Sequence, residues 1–354
     1  MKQKRLSELS YMNLFYCVLV VFIHVSSEPV TTLERSSLQY FAVMIPWRLS
    51  AFVVQGFIFL SGVKLFLNMR EPFDTVAFWC KRVKSIILPY ILWVLIYYCY
   101  YVSIGYFPFR FSDFFRYVLV GDLVSPFYFV IIITQFYLLA PLFIKLLEKV
   151  KTIPLLVASF VLMLILWRGL VPLLRVSGIC ENFIYIDRVF TSYLFYFVFG
   201  CVVGKHYTSF MSRIKRLGVP VTLGFIVLAI IDVLSYVFIS RIGYAAAEIY
   251  HTVYCIGAIL FTLYFFDFIS RNTKNMPHFI ASADRATYLV YLCHCLAIAR
   301  INYRMELFGI SDIGIRYIIR IVCVYILSFG SCMIWNLIKA AFNKRIYGKN
   351  DLRI

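Results

Sequence analysis

The stretch Leu9 to Ser26, LSYMNLFYCVLVVFIHVS, decides how the rest of the chain is read. It contains no Asp, Glu, Lys or Arg, and its apolar residues run on without the regular polar interruptions of a surface helix. A helix crosses a ~30 Å hydrocarbon core with about 20 residues, and this stretch is close to that length. Nine more apolar blocks follow, at 47–67, 86–104, 126–147, 153–174, 189–205, 217–240, 250–269, 286–303 and 315–338. Backbone groups in lipid must be satisfied within the segment, so each block is predicted to be a helix. The fold class expected is an all-α polytopic membrane protein, a bundle of about ten transmembrane helices.

Composition agrees with that reading. Of 354 residues, 62% are apolar and 15% charged, against roughly 45–50% and about 25% in a soluble domain. These values exclude a soluble globular enzyme, a disordered chain and a disulfide-stapled secreted module. An outer-membrane barrel would alternate polar and apolar residues, whereas here they come in blocks. No hydrophilic run is long enough for a soluble domain, so 1–354 is expected to form one membrane-embedded domain. The first block lacks a small-x-small cleavage site and is read as a retained span rather than a leader. The ten Cys show no Cys-x-x-Cys pair. They are read as small residues within helices, and no metal site is expected.

Charge gives the orientation. The balance is 35 Lys+Arg against 17 Asp+Glu, a net +18. On a membrane protein this reflects basic loops on an anionic surface, not a nucleic-acid site. With the N-terminus placed inside, the inner segments hold 23 of the 35 basic residues, every Lys among them. They include Lys2, Lys4 and Arg5 at one end and Lys344, Arg345, Lys349 and Arg353 at the other. The positive-inside rule then predicts N-in and C-in, multi-pass, in a plasma (inner) membrane. No internal repeat is found, which counts against an inverted-repeat transporter.

Ionisable groups inside a bilayer are costly and are commonly functional or paired. At 1.5 Å per residue, His24 lies roughly 22 Å along its span, in the outer third. Arg168 and Asp232 come out at similar depth. Arg48, Glu248 and His251 stand at the outer starts of their helices, and Asp187 and Arg188 open another from outside. Several helices thus place polar groups at one level, as around a cavity open to the outside, with His294 near the midplane as its floor. The plainer readings are packing histidines, an Arg168–Asp232 ion pair and side chains snorkelling to the interface. The cluster Lys81, Arg82, Lys84 is a topology signal or a phosphate-binding patch for an anionic donor.

Five segments carry a resemblance. Tyr11-Met12-Asn13-Leu14 through Val20-Val21-Phe22-Ile23-His24 resembles the opening helix of the integral-membrane acyltransferase family 3. Phe57-Ile58-Phe59-Leu60-Ser61-Gly62 is similar to the aromatic Ser-Gly end of its second helix. Lys81-Arg82-Val83-Lys84 with Leu88-Pro89-Tyr90-Ile91-Leu92-Trp93 resembles its basic third-helix start. Phe127-Tyr128-Phe129 through Pro141-Leu142 resembles its Tyr-Phe…Pro-Leu helix, and Tyr288-Leu289-Val290-Tyr291-Leu292-Cys293-His294 its Tyr-x-x-Tyr-Leu-x-His signature. The order and spacing of these weak motifs cover essentially the whole chain, and two of them look most like the branch serving poly-N-acetylglucosamine adhesins. The chain departs from the pattern at three places. Asn13 stands where the family has an Arg eleven positions before the helix-one His, Ser10 replaces an acidic residue, and Ser85 replaces the second Arg of an Arg-x-x-Arg pair.

The resemblance implies O-acylation of a cell-envelope or extracellular glycan, with an acetyl- or succinyl-type group taken from cytoplasmic acyl-CoA. No tightly bound cofactor is implied. The implied partners are acyl-CoA, a glycan or lipid-linked saccharide, and membrane lipid. His24 would be the general base, since neutral imidazole with an unperturbed pKa near ~6.5 suits that role. Asp232, Glu248 and Glu28 are the carboxylates that could orient it. Asn13, Lys81, Arg82 and Lys84 fall at the donor side, and Arg48, Arg168, His251, His294 and Tyr291 at the acceptor side. The alternative is a non-enzymatic polysaccharide exporter or synthase-associated subunit, favoured by Asn13, Ser10 and Ser85.

Overall fold

The structure, a computed structural model, describes residues 6–170, 185–273 and 275–347, without the side chains of Arg168, Leu170 and 344–347. The tail charges Lys2, Lys4, Arg5, Lys349 and Arg353, the side chains of Lys344 and Arg345, and the end of the 153–174 block therefore lie outside the described residues. No strand occurs among the described residues. In chain order the helices are α1 Ser7–Val25, α2 Ser27–Thr32, α3 Leu38–Ser50, α4 Val53–Leu67, α5 Thr75–Arg82, α6 Leu88–Ser103, α7 Phe111–Val120 and α8 Tyr128–Leu138. They continue with α9 Ala140–Lys149, α10 Thr152–Ile165, α11 Leu194–Lys205, α12 Tyr207–Arg216, α13 Gly218–Val237, α14 Tyr244–Asn272, α15 His278–Leu307 and α16 Ile313–Tyr347.

Among the described residues six helical segments are long and apolar enough to cross a membrane: Ser7–Val25, Leu38–Leu67, Thr75–Ser103, Gly218–Val237, Tyr244–Asn272 and Ile313–Asn343. A seventh arises if Phe111–Val120 and Ser125–Leu138, bent by 59°, are taken as one. The other predicted spans are not single long apolar helices among the described residues. The 126–147 block breaks at Leu139 because Pro141 starts a new helix at its second position, where a missing N–H costs nothing. Among the described residues the 189–205 block gives the shorter apolar helix Phe190–Lys205, and the 153–174 block gives Thr152–Ile165 continued by a π-helical turn to Leu170, its end lying outside the described residues. The 286–303 block lies within α15, a 30-residue helix that also carries Asp284, Arg285, Arg304 and Glu306.

α13 shows why these helices belong in lipid. Its buried residues are Gly218, Asp232 and Ser235. Leu223, Val227 and Ile230 are more than half exposed. Polar inside and apolar outside inverts the pattern of a soluble surface helix, and hydrocarbon makes it favourable.

The chain folds as two compact units, Met1–Val53 with Gly218–Ile354, and Val54–Leu217. In the first, α15 packs on α16 and on α1, and α13 packs on α14. In the second, α4 and α11 approach closely through glycine. A Cβ at Gly62 would fall on the Phe197 carbonyl, and one at Gly200 on the Phe59 carbonyl. Gly200 and Gly204 are four apart, the small-xxx-small spacing that lets membrane helices touch backbone to backbone. Gly200→Ala is expected to destabilise by about 1–3 kcal/mol, because a backbone carbonyl cannot move aside as a side chain can. Gly224→Ala, where an added Cβ meets nothing within 4 Å, is the matched control. Thermal unfolding in detergent compares the two, and equal melting temperatures would refute the close approach.

Candidate active site

The first unit carries two histidines side by side with their rings tilted. His24 lies in the last turn of α1, and His294 is fully buried on α15. Their ring centroids are 5.2 Å apart at 43°. His294 Nδ1 lies 3.1 Å from the Val290 carbonyl oxygen. A carbonyl only accepts, so Nδ1 carries the proton and Nε2 keeps its lone pair, 3.5 Å from Cys295 Sγ. Tyr291, buried, has its ring centroid 6.2 Å from that of His294. His24 itself is half-buried. Its ring nitrogens make no hydrogen bond among the described residues, which leaves them available to a substrate proton.

The turn after His24 is built by α2. Ser26 takes φ −86°, ψ −7°, so the chain continues almost helically, and Ser27 Oγ donates to the His24 carbonyl at 2.9 Å. Pro29 is accommodated because it falls in the first turn of α2, where N–H groups have no intrahelical partner. Glu28 then faces α16. Arg316 Nε donates to Glu28 Oε1 at 3.1 Å, and Arg320 pairs with Oε2. Arg320 is only 1% exposed.

A second buried cluster joins α3, α13 and α14. Arg48 donates from Nε to Asp232 Oδ2 at 2.9 Å and from its terminal nitrogen to Oδ1 at 2.8 Å. His251 Nδ1 lies 3.1 Å from Asp232 Oδ1, and its Nε2 lies 3.5 Å from Cys255 Sγ. Asp232 has no exposure at all. The bidentate pair is the strong form of this contact, and Tyr236 stacks against the guanidinium at 5.1 Å. Three residues foreseen at one depth, Arg48, Asp232 and His251, thus meet. The carboxylates considered as orienting groups are engaged elsewhere: Asp232 with Arg48 and His251, Glu28 with two arginines. Glu248 is half-buried, with no side-chain hydrogen bond among the described residues. The side chain of Arg168 lies outside the described residues.

Asn13 ties α1 to α15. Its Nδ2 donates to Asp284 Oδ1 at 2.8 Å and to Thr287 Oγ1 at 2.9 Å. A carboxylate accepts only, so the amide nitrogen must face it, and both amide hydrogens are in use. Asn13 was singled out in the sequence, but its partners Asp284 and Thr287 were not; Asp284, a charge at the start of a long apolar run, was the signal for them.

In the second unit, Arg82 is sandwiched between the rings of Phe78 and Tyr137, at 4.9 and 4.5 Å. Trp79 Nε1 donates to the Tyr137 carbonyl at 2.9 Å. Lys81 and Lys84 are exposed, on α5 and on the π-helical turn Val83–Ile87. The cavity lined by Trp79, Arg82 and Tyr137 is about 30 Å³, too small for more than ordered water. Arg188 lies over the Tyr185 ring at 4.6 Å, and its backbone carbonyl accepts from Gln135 Nε2 at 2.7 Å. Among the described residues no group of three or more His, Cys, Asp or Glu could hold a metal.

The fold is that of a multi-pass helical membrane protein. The family model for acyltransferase family 3, described as an acyltransferase domain, matches residues 6–336, and the chain belongs to that family. No curated protein and no solved structure matches the chain.

Proposed function

We propose that this membrane acyltransferase moves an acetyl- or succinyl-type group from cytoplasmic acyl-CoA to a hydroxyl of a cell-envelope glycan, with His24 as general base. The observation that carries the proposal is the half-buried His24 ring, free of hydrogen bonds among the described residues, 5.2 Å from the ring of His294. A base must have an open lone pair within reach of the proton it takes. In the step proposed, a His24 nitrogen takes the hydroxyl proton and the oxygen attacks the thioester carbonyl. The tetrahedral intermediate then expels the CoA thiolate, which recovers the proton from His24.

With the three carboxylates engaged or unpartnered, His294 is the group we assign to steady the imidazolium that forms on His24. Its Nε2 lone pair is held in place by the Nδ1 contact to Val290. Lys81, Arg82 and Lys84 are assigned to the donor phosphates; Asn13, with both amide hydrogens used, is assigned to packing. Arg48, His251 and Asp232 are read as a structural cluster. The topology that fits these roles is ten spans, N-in and C-in, in an inner membrane. The test is release of free CoA thiol by the purified full chain, given acetyl- or succinyl-CoA with and without an oligosaccharide acceptor. Acceptor-dependent release with a matching mass gain on the glycan is expected. Glycan that depends on this chain to reach the surface, yet stays unmodified with no CoA released, would instead favour an exporter.

A further inference from the structure

In the first unit His294 meets a thiol as well as a second histidine. Its Nδ1 is taken by the Val290 carbonyl, one turn back on α15, at 3.1 Å. Nε2 therefore carries no hydrogen and accepts. Cys295 Sγ lies 3.5 Å from it, a hydrogen-bond length for an atom as large as sulfur, so the thiol proton is directed at this nitrogen. A nucleophile, a base within reach of its proton and a third group that orients the base are the parts of an activated nucleophile. The same imidazole has the His24 ring centroid 5.2 Å from its own. Exposure sets this thiol apart. Cys255 touches His251 at the same 3.5 Å but is wholly enclosed. Cys80 and Cys99 are exposed and have no hydrogen bond to a histidine among the described residues. Cys295 combines partial exposure with an imidazole partner.

We propose that Cys295 is a catalytic nucleophile: it takes the acyl group from the donor thioester when no acceptor is bound and holds it as a protein thioester. The proposal rests on the acyltransferase reading and adds to it a route for a donor that arrives first. The Cys295 sulfur attacks the acyl carbon of acyl-CoA while His294 Nε2 takes the thiol proton, so no free thiolate has to exist in an apolar setting. The new S–C bond forms, the C–S bond to CoA breaks, and the departing thiolate recovers the proton from His294. One thioester replaces another, so the acyl group keeps its transfer potential. When an acceptor hydroxyl arrives, His24 takes its proton and the oxygen attacks the acyl carbon on Cys295. The Cys295 sulfur then leaves and recovers the proton from His24. While acylated, Cys295 carries no S–H, which frees His294 Nε2 for the imidazolium that forms on His24.

The test incubates the full chain in non-ionic detergent with acetyl- or succinyl-CoA and no acceptor, and reads CoA release, intact mass and peptide mapping together. One CoA released per chain is expected. One acyl unit should appear on the peptide carrying Cys295 and be removed by neutral hydroxylamine, which cleaves thioesters. An oligosaccharide acceptor added afterwards should discharge the acyl group onto the glycan. His24→Ala should form the acyl-Cys295 and fail to discharge it. Cys295→Ser should carry no hydroxylamine-labile acyl group there. His294→Gln should slow acylation of Cys295 about 100-fold, the lower end of a general base's contribution. Cys80 and Cys99 are internal controls, since thioester exchange without a base would label exposed thiols first. Mapping in the wild-type chain decides the matter even if a variant does not fold. Labelling of Cys80 and Cys99 in place of Cys295 would overturn the proposal. So would an unchanged mass while acceptor-dependent CoA release proceeds, and that result would leave the acyltransferase reading standing. Absence of both labelling and acceptor-dependent release would remove the two together.

Discussion

His24→Ala is expected to lower acceptor-dependent CoA release by about 10²–10⁴-fold, the usual contribution of a positioned general base. Its melting temperature should change little. In the folded protein the His24 ring makes no hydrogen bond among the described residues and is only half-buried, so truncation leaves no buried polar group without a partner. His294→Gln should cost less in rate, because it removes a group that steadies the imidazolium and not the base itself. It should cost more in stability, because His294 is wholly buried and bonded to Val290. The contrast between the two variants is the informative measurement. Wild-type turnover in His24→Ala would exclude the base, whatever the family.

How much of this was legible in advance depended on the kind of residue. Lipid imposes a simple rule on helices, so the apolar blocks exposed the membrane class at once. The helix breaks were harder to place. Pro141 explains the break at Leu139 once the structure is seen, but proline within a membrane span is tolerated often enough to hide it. The expectation of polar groups at one level fits the meeting of Arg48, Asp232 and His251, although Arg48 stands in the last turn of α3, within the span Leu38–Leu67, and not at the start of a helix. It failed to pair partners: Glu28 was considered for His24, while Arg316 and Arg320 were not singled out. Those arginines are four residues apart in the otherwise apolar first turns of α16, a spacing that places both on one face, and that signal was available. Gly200 and Gly204 were readable in the same way. The meeting of His24 and His294 was not, since it depends on how α1 packs against α15.

Asp232→Ala is expected to be the most destabilising single change in the first unit. It strips the counter-charge from Arg48, whose two donors it accepts at 2.8–2.9 Å, and from His251 beside it. Arg48 is 8% exposed, and removing one partner of a buried pair costs about 3–5 kcal/mol. Native proteins have only about 5–15 kcal/mol in hand, so the variant should give little monodisperse protein in detergent. Replacing the pair together, Arg48→Met with Asp232→Leu, should recover much of the loss, because two well-packed apolar side chains leave no orphaned charge. Asp232→Asn separates structure from catalysis. The amide keeps the shape and one acceptor, so the folded fraction should fall partway, and activity per folded molecule should stay near wild type. Full folding with turnover reduced 100-fold would show instead that this carboxylate serves the reaction, and the assignment of His294 as the group that steadies His24 would have to give way.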